Sequence, residues 1–363
     1  MTDGQATPAA ARDIEITNNL IYTISLQPNL KWHDGKKLTS SDVNLKIRGA
    51  EVSFTDNYTL LIELKEPYSP LSVILSKPLF REHLIGLGHY KVVKAVYRND
   101  NKISELTILP FDRNLPTLTY KFYPNKDDAV LAFKLGEIDM LDDIDSSQVF
   151  TGWSNLKIEE KTQYNKVVAL FYNFKDSRFK DKEIRQALAY AIPPIENYDK
   201  AVSPISPLSW AYSQRLRLYN YDTESALKIL SKSPLSSESA ELILTTPSSL
   251  LNIGQFIADA WNSVGVNAKV KVDSTIPSDY QVMIKIVSIP PDPDQYVLWQ
   301  STQENTNLSN YVSPKIDKLL EDGRKIHNLE ERKKIYADFQ FYLVDDAPAI
   351  FLYYPKLMTI SRS

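Results

Sequence analysis

Alternating apolar and polar positions give the first elements. Ile14 to Leu26 (IEITNNLIYTISL) alternates about Asn18-Asn19, the pattern of a β-hairpin. Residues 50 to 64 repeat it, AEVSF and YTLLIEL flanking a turn at Asp56-Asn57. Between the two, Asp34-Gly35 predicts a turn, and Thr39-Ser40-Ser41-Asp42 has capping-box spacing that would open a short helix before Gly49. Residues 66–82, with prolines among apolar positions, predict a loop and a short apolar helix. GLGHYKVVKAVY (86–97) then predicts a glycine turn entering a strand.

Further along, strand-like runs alternate with segments of helical period. Residues 118–141 read as strand, turn, helix and strand, with acidic residues opening the helix and Gly136 closing it. KVVALFYNF (166–174) is strongly β-prone, and KDKEIRQALAYAI is amphipathic at helical spacing until Pro193-Pro194 stops it. A third set is ELILTTP, LLNIGQFIADAWNSVG and VNAKVKVDS. Two helices, over 316–328 and 329–347, precede a closing strand in PAIFLYYPKLM, while 193–220 is irregular and aromatic. Repeated strand-helix-strand units imply mixed α/β layers.

Size makes this more than one core. The chain has 363 residues, beyond the roughly 250–300 at which single cores stop growing, so two lobes separated near residue 160 and a cleft are expected. At 43% hydrophobic and 24% charged residues it has the composition of a folded protein. Having no Cys, it excludes disulfides and thiolate metal sites, and with 10 Gly it contains no phosphate-cradling glycine loop. Lys+Arg 42 against Asp+Glu 45 leaves no broad positive field for nucleic acid. No apolar run approaches the ~20 residues of a membrane span. The polar start MTDGQATPAAARD is not a signal peptide, so the protein is cytosolic or its export signal lies outside this chain. Residues 1–12 read as a flexible leader, the fold starting near Asp13.

Candidate chemistry is sparse. His33, His83, His89 and His327 include no pair at i, i+4 spacing, so they read as surface or turn histidines and no metal site or cofactor is assigned. No G-x-S-x-G is present, and no catalytic residue is assigned. Asp142-Asp143 and Asp345-Asp346 read as solvated pairs. Asp292-Pro293-Asp294 follows an apolar strand on a proline-stiffened loop, with Tyr296 and Trp299 behind it. Such a loop can present fixed anions and aromatic faces to a cationic or amphipathic ligand; a packed structural turn would have the same spacing.

LKWHDGKKLTSSDV resembles the signature of the family 5 extracellular solute-binding proteins, the peptide- and nickel-binding receptors of ABC importers. The matching positions are Trp32 to Gly35, Leu38, Thr39 and Asp42-Val43. Further segments follow in the family's order: TDNYTLLIELKEPYSPL, GLGHYKVV, AVLAFKLGEIDML, ALFYNF with the Arg185–Ile192 helix RQALAYAI, SPISPLSWAY, PDPDQYVLW, and EERKKIYADFQFYLVDDAPAIFL. The resemblance covers about residues 14 to 355.

It implies an α/β, two-lobed periplasmic-binding-protein-like fold of the second type, with mixed sheets flanked by helices and a shortened first lobe. The first lobe would be 13–165, completed by 345–363, and the second 166–344. The implied function is a receptor without catalysis that captures an oligopeptide or similar extended solute between its lobes and presents it to an ABC permease in the membrane. It would work as a monomer at the periplasmic or extracellular face, without nucleic acid. Expected ligand-binding residues are Asn173, Trp210, Tyr212, Asp292, Asp294, Tyr296, Trp299 and Asn310. In peptide-binding relatives an aspartate shortly before the Asp-Pro-Asp motif holds the peptide's amino group; here that position is Ile289. The alternative implied by that departure and the short first lobe is a structural or signalling descendant that has lost transport.

Overall fold

The structure is a computed structural model and describes residues 4–43, 45–237, 240–273, 275 and 279–362. Residues 1–3 of the expected leader, Asn44 of the expected short helix, Ser274 at the end of the third strand-helix-strand set and Ser363 lie outside the described residues. The chain divides into two units, one of 6–161 rejoined by 357–362, the other of 162–356 with Gly4 and Gln5.

In the N-terminal unit, Asn18 and Asn19 take left-handed φ of 52° and 60°, the turn whose twist matches paired strands. β1 (Ala11–Thr17) and β2 (Ile21–Leu26) therefore pair antiparallel. β3 (Ala50–Asp56) and β4 (Thr59–Leu64) form the second hairpin, and β2 against β4 completes a four-stranded sheet in the order β1-β2-β4-β3. Its buried face is the alternation Tyr22, Ile24 and Leu60, Ile62, packed on Trp32, Leu38 and Leu71. The expected leader is shorter than the sequence suggests: β1 starts at Ala11, and Gln27 N–H donates to Ala10 O at 3.0 Å.

The capping-box segment forms one 3-10 turn, Ser40–Asp42, rather than a helix. Ser40 N–H is taken by Asn57 O at 2.8 Å. The Asp42 carboxylate accepts from the Thr39 N–H and hydroxyl, both at 2.9 Å, and from the Trp32 indole at 3.4 Å. The Thr39–Asp42 bonds complete the expected capping box, while the bonds from Ser40 to Asn57 and from Trp32 to Asp42 tie the turn to its surroundings.

α1 (Leu71–Ile74) leads to a three-stranded meander of β5 (Tyr90–Tyr97), β6 (Ile103–Pro110) and β7 (Leu118–Lys121). α2 (Lys126–Leu135) follows, capped by Asn125 at its start and by Gly136 with φ 78° at its end. β8 (Met140–Ile144) does not return to β7: it pairs antiparallel with the chain's last strand, and β9 (Leu156–Thr162) flanks that strand on the other side. The stretch 118–141 is thus not a β-α-β unit, because β7 and β8 find partners in different sheets.

The C-terminal unit is built on a six-stranded mixed sheet, ordered β11-β15-β10-β14-β12-β13. β10 (Lys166–Tyr172) is central and buried on both faces, which explains its unbroken apolar run. α3 (Lys182–Tyr190) follows, then the two-residue β11 (Asp199–Lys200) and α4 (Thr223–Leu230). β12 (Leu242–Thr246), α5 (Leu251–Ser263) and β13 (Ala268–Val272) form a true β-α-β unit with β12 and β13 parallel. β14 (Val282–Ser288), α6 (Tyr296–Trp299), α7 (Pro314–Lys325) and α8 (Leu329–Asp346) come next.

Where one closing strand and a completion segment 345–363 were expected, there are two strands. β15 (Ala349–Tyr354) enters the six-stranded sheet beside β10, and β16 (Lys356–Arg362) joins β8 and β9 in the other unit. All six residues of β15 are buried, which suits a strand packed between two layers. Val168, Leu170 and Ile350 face one core and Val167, Phe171 and Phe351 the other.

Candidate functional site

Every residue singled out in the sequence as ligand-binding falls in the C-terminal unit, and the structure gathers six of the eight in two groups, leaving Trp299 in the core and Tyr212 apart. The first is the loop after β14. Asp292 Oδ1 accepts the Asp294 N–H at 2.9 Å and Asp294 Oδ1 accepts the Tyr296 N–H at 3.0 Å, so two successive side-chain turns stiffen it. Arg332 of α8 grips Asp292 with two nitrogens, at 2.6 and 2.8 Å. Asp292 is 6% and Arg332 5% exposed, so this is a buried, bidentate pair. Arg332 also donates to Gly323 O at 2.7 Å and lies 5.5 Å from the Trp210 ring centroid. Arg324 of α7 pairs with Asp294 at 3.1 Å and lies over Tyr296 at 4.1 Å. Burial pushes the Asp294 carboxyl above its ordinary pKa, and the attraction of Arg324 only partly opposes this.

Trp210, Asp292, Asp294 and Tyr296 are therefore brought together by two arginines that the sequence reading passed over. One signal was available: Arg332 shares the apolar stripe of α8 with Tyr336, Phe339 and Leu343, at helical spacing. A cation on a buried stripe needs a buried anion.

The second group joins Asn173 and Asn310. Asn173 caps the end of β10: its carbonyl accepts from Asn310 Nδ2 at 3.0 Å and Lys175 N–H at 3.1 Å, and its amide donates to Tyr280 O at 2.6 Å. Asn310 holds a left-handed φ of 53°, which asparagine tolerates better than most residues. Trp299 lies at the end of α6, 3% exposed, stacked on Phe171 with centroids 6.0 Å apart and edge-on to Phe351. Among the described residues its indole N–H has no hydrogen-bond partner, nor has Gln295 Oε1, and both line a small apolar cavity with Ile289. Ile289 is itself buried, and its N–H is bonded to Asn165 O at 2.8 Å.

Tyr212 is half-buried on the irregular segment after β11, and burial raises its phenol pKa. Among the described residues no hydrogen bond, ion pair or ring contact joins it to the aspartate loop. Chemically, then, Asp292 and Asn173 have their polar atoms engaged within the unit, and Trp299 and Ile289 serve its core. Trp210, Tyr212, Tyr296 and Asn310 keep partly open faces that can hydrogen-bond and stack.

The signature segments of the N-terminal unit form a separate assembly. Gly86 N–H donates to His33 Nδ1 at 3.2 Å, which assigns the proton of a neutral ring to Nε2, 3.0 Å from Gly88 O. His33 thus pins the glycine turn before β5 to the Trp32–Gly35 turn. Arg81 pairs with Asp34 at 3.6 Å and Asp42 at 3.8 Å and covers Trp32 at 5.5 Å. Beside them lies an open, largely apolar concavity of about 1140 Å³, walled by β1, β2 and residues 72–90.

Residues 44–308 match the profile of the bacterial extracellular solute-binding proteins, family 5 middle region. The chain belongs to that family. Over an alignment of 423 residues it is 24% identical to the oligopeptide-binding protein AppA of Bacillus subtilis, covering 94% of this chain and 77% of that protein. The fold is similar to NikZ from Campylobacter jejuni, solved in complex with Ni(L-His), with a TM-score of 0.80, 24% identity, and coverage of 100% of this chain and 87% of that one. It is also similar to the ABC transporter substrate-binding protein CtaP from Listeria monocytogenes, with a TM-score of 0.83 at 22% identity, over 99% and 86% of the chains. The fold is accordingly the two-lobed, mixed α/β fold of the family 5 solute-binding proteins. Among the described residues no helix is long and apolar enough to cross a membrane.

Proposed function

We propose that this solute-binding protein is a non-enzymatic receptor that captures an oligopeptide or similar extended solute and presents it to an ABC permease, acting as a monomer at the periplasmic or extracellular face. The family match over residues 44–308 carries this reading, and the alignment with an oligopeptide-binding relative along 94% of the chain supports the solute class. A peptide backbone offers evenly spaced donors and acceptors, so polar groups can hold many sequences while aromatic faces select among them.

We assign solute contact to Trp210, Tyr212, Tyr296 and Asn310, whose side chains keep open surface. Asp292, Asn173 and Trp299 act by holding these in place, and Asp294 by fixing Tyr296. With Ile289 buried and Asp292 bound to Arg332, a peptide's free amine has no ready carboxylate in this loop, which favours solutes bound through backbone and side chains over those gripped by a terminal ammonium.

Native mass spectrometry of the purified protein tests the reading, followed by calorimetry of whatever co-purifies against wild type and Tyr212→Ala. A bound peptide whose affinity falls in the variant is the expected result. Absence of any solute, together with no heat from a mixed peptide library, would sink the receptor reading in favour of a descendant without transport.

A further inference from the structure

β15 is an edge that its neighbour does not finish. β11 has two residues, pairing Asp199 with Tyr354 and Lys200 with Tyr353, and Ala201 N–H adds a bond to Leu352 O at 3.2 Å. Among the described residues, no strand pairs with β15 from Ala349 to Phe351 on that side. Residues 192–202 and 217–221 wall the space instead, enclosing a cavity of about 200 Å³ within the C-terminal unit.

Its chemistry is divided. The floor is buried and apolar, made by Ile192, Ala349 and Leu352 among others. The rim carries Lys200, Arg217, Tyr198, Tyr219 and Tyr221. Tyr198 is held against Tyr353 with centroids 4.2 Å apart, and Tyr219 is anchored through its hydroxyl to Val344 O at 2.7 Å, while Tyr198 and Tyr221 remain 38% and 49% exposed.

The rim is cationic. Lys200 Nζ reaches a backbone carbonyl, Tyr219 O at 3.2 Å, and among the described residues no carboxylate pairs with it. Desolvation lowers its pKa, as expected of an ammonium without a counter-ion. Its neighbour Asp199 turns to the opposite face, as strand alternation requires, and its carboxylate accepts from the hydroxyls of Tyr164 and Thr162. Arg217 pairs with Asp345 at 3.3 Å, which leaves other guanidinium donors free to turn inward.

We propose that this cavity is a binding site for a small organic anion with a flat apolar body, separate from the residues assigned to solute contact. The carboxylate lies at Lys200 and Arg217, and the body rests on the apolar floor between the tyrosine rings. A cation is repelled by the rim, and a neutral molecule leaves the ammonium without its counter-charge. The site does not depend on the peptide-receptor reading.

Benzoate and its neutral counterpart benzamide are the probes, titrated into the full chain by saturation-transfer NMR. Benzoate binds saturably, benzamide about tenfold or more weaker, and Lys200→Gln brings benzoate down to the benzamide level, the scale of a lost charge-assisted hydrogen bond. Equal binding of the two probes, no saturation by benzoate, or undiminished benzoate binding in Lys200→Gln overturns the proposal. A second measurement needs no variant: benzoate, and not benzamide, slows acetylation of Lys200 by acetic anhydride in the wild-type chain, read by peptide mass spectrometry with the exposed Lys36 as reference. Equal labelling of Lys200 with and without benzoate overturns the proposal as well.

Discussion

Asp292→Asn separates the two roles that the aspartate loop could play. Asparagine keeps the Oδ1 acceptor for the Asp294 N–H, so the turn survives while the charge facing Arg332 is removed. With Asp292 6% and Arg332 5% exposed, the guanidinium is left buried beside a neutral amide. Breaking a buried pair by removing one partner costs about 3–5 kcal/mol. With a urea m-value of about 3 kcal/mol/M for a unit of this size, the midpoint should fall by roughly 1–2 M. Urea unfolding followed by tryptophan fluorescence is the assay, since Trp210 lies against Arg332. Adding Arg332→Met to Asp292→Asn should recover part of the loss, because it removes the buried guanidinium left without its counter-charge while the Oδ1 acceptor of the turn is kept. A cost below about 1 kcal/mol for Asp292→Asn, with solute binding abolished, would refute the reasoning: it would mean that the carboxylate serves the ligand and not the fold.

Three other outcomes follow from the packing. Trp299→Ala should cost about 3–5 kcal/mol through the cavity it leaves beside Phe171 and Phe351, read in the same urea titration; a loss confined to solute binding would contradict its place in the core. His33→Ala removes the acceptor for Gly86 N–H, so that amide should exchange with deuterium faster than in wild type, while exchange at Val168 in the other unit is unchanged. Asp42 gives a pH dependence. Burial alone would raise its carboxyl pKa, but the hydrogen bonds from Thr39 and Trp32 and the charge of Arg81 outweigh it and hold it low. Since the folded value lies below the unfolded one, this stabilisation is present above about pH 4 and is lost as pH falls through the folded value. The thermal midpoint advantage of wild type over Asp42→Asn should therefore be full near pH 6 and shrink below about pH 4; an advantage independent of pH would show that ionisation of Asp42 is not its source.

Local patterns were read well where neighbours in sequence are neighbours in space. Both N-terminal hairpins, the β12-α5-β13 unit, α3 with its stop before Pro193, and the last two helices depend on turn chemistry and periodicity, which a single chain displays directly. The 118–141 stretch misled because its two strands join different sheets, β7 beside the preceding strand β6 and β8 beside β16 from the far end of the chain. The Thr39–Asp42 capping box formed as its spacing suggests, Thr39 N–H donating to the Asp42 carboxylate, but it opens only a single 3-10 turn, a length that spacing alone did not set.

Family, fold class and the candidate residues were all determined by the sequence, since motif order and hydrophobic period survive without coordinates. Which of their polar groups are already engaged within the unit was decided by tertiary structure alone. Asp292-Pro293-Asp294 looks equally like a ligand clamp and a structural turn until α8 delivers Arg332 from forty positions along the chain and neutralises the first carboxylate. Lys200 is an ordinary lysine until a two-residue strand leaves the edge of β15 open beneath it. Charge and aromaticity are properties of residues, but whether a charge is paired or free depends on which distant segments meet, and that is fixed only by the packed fold.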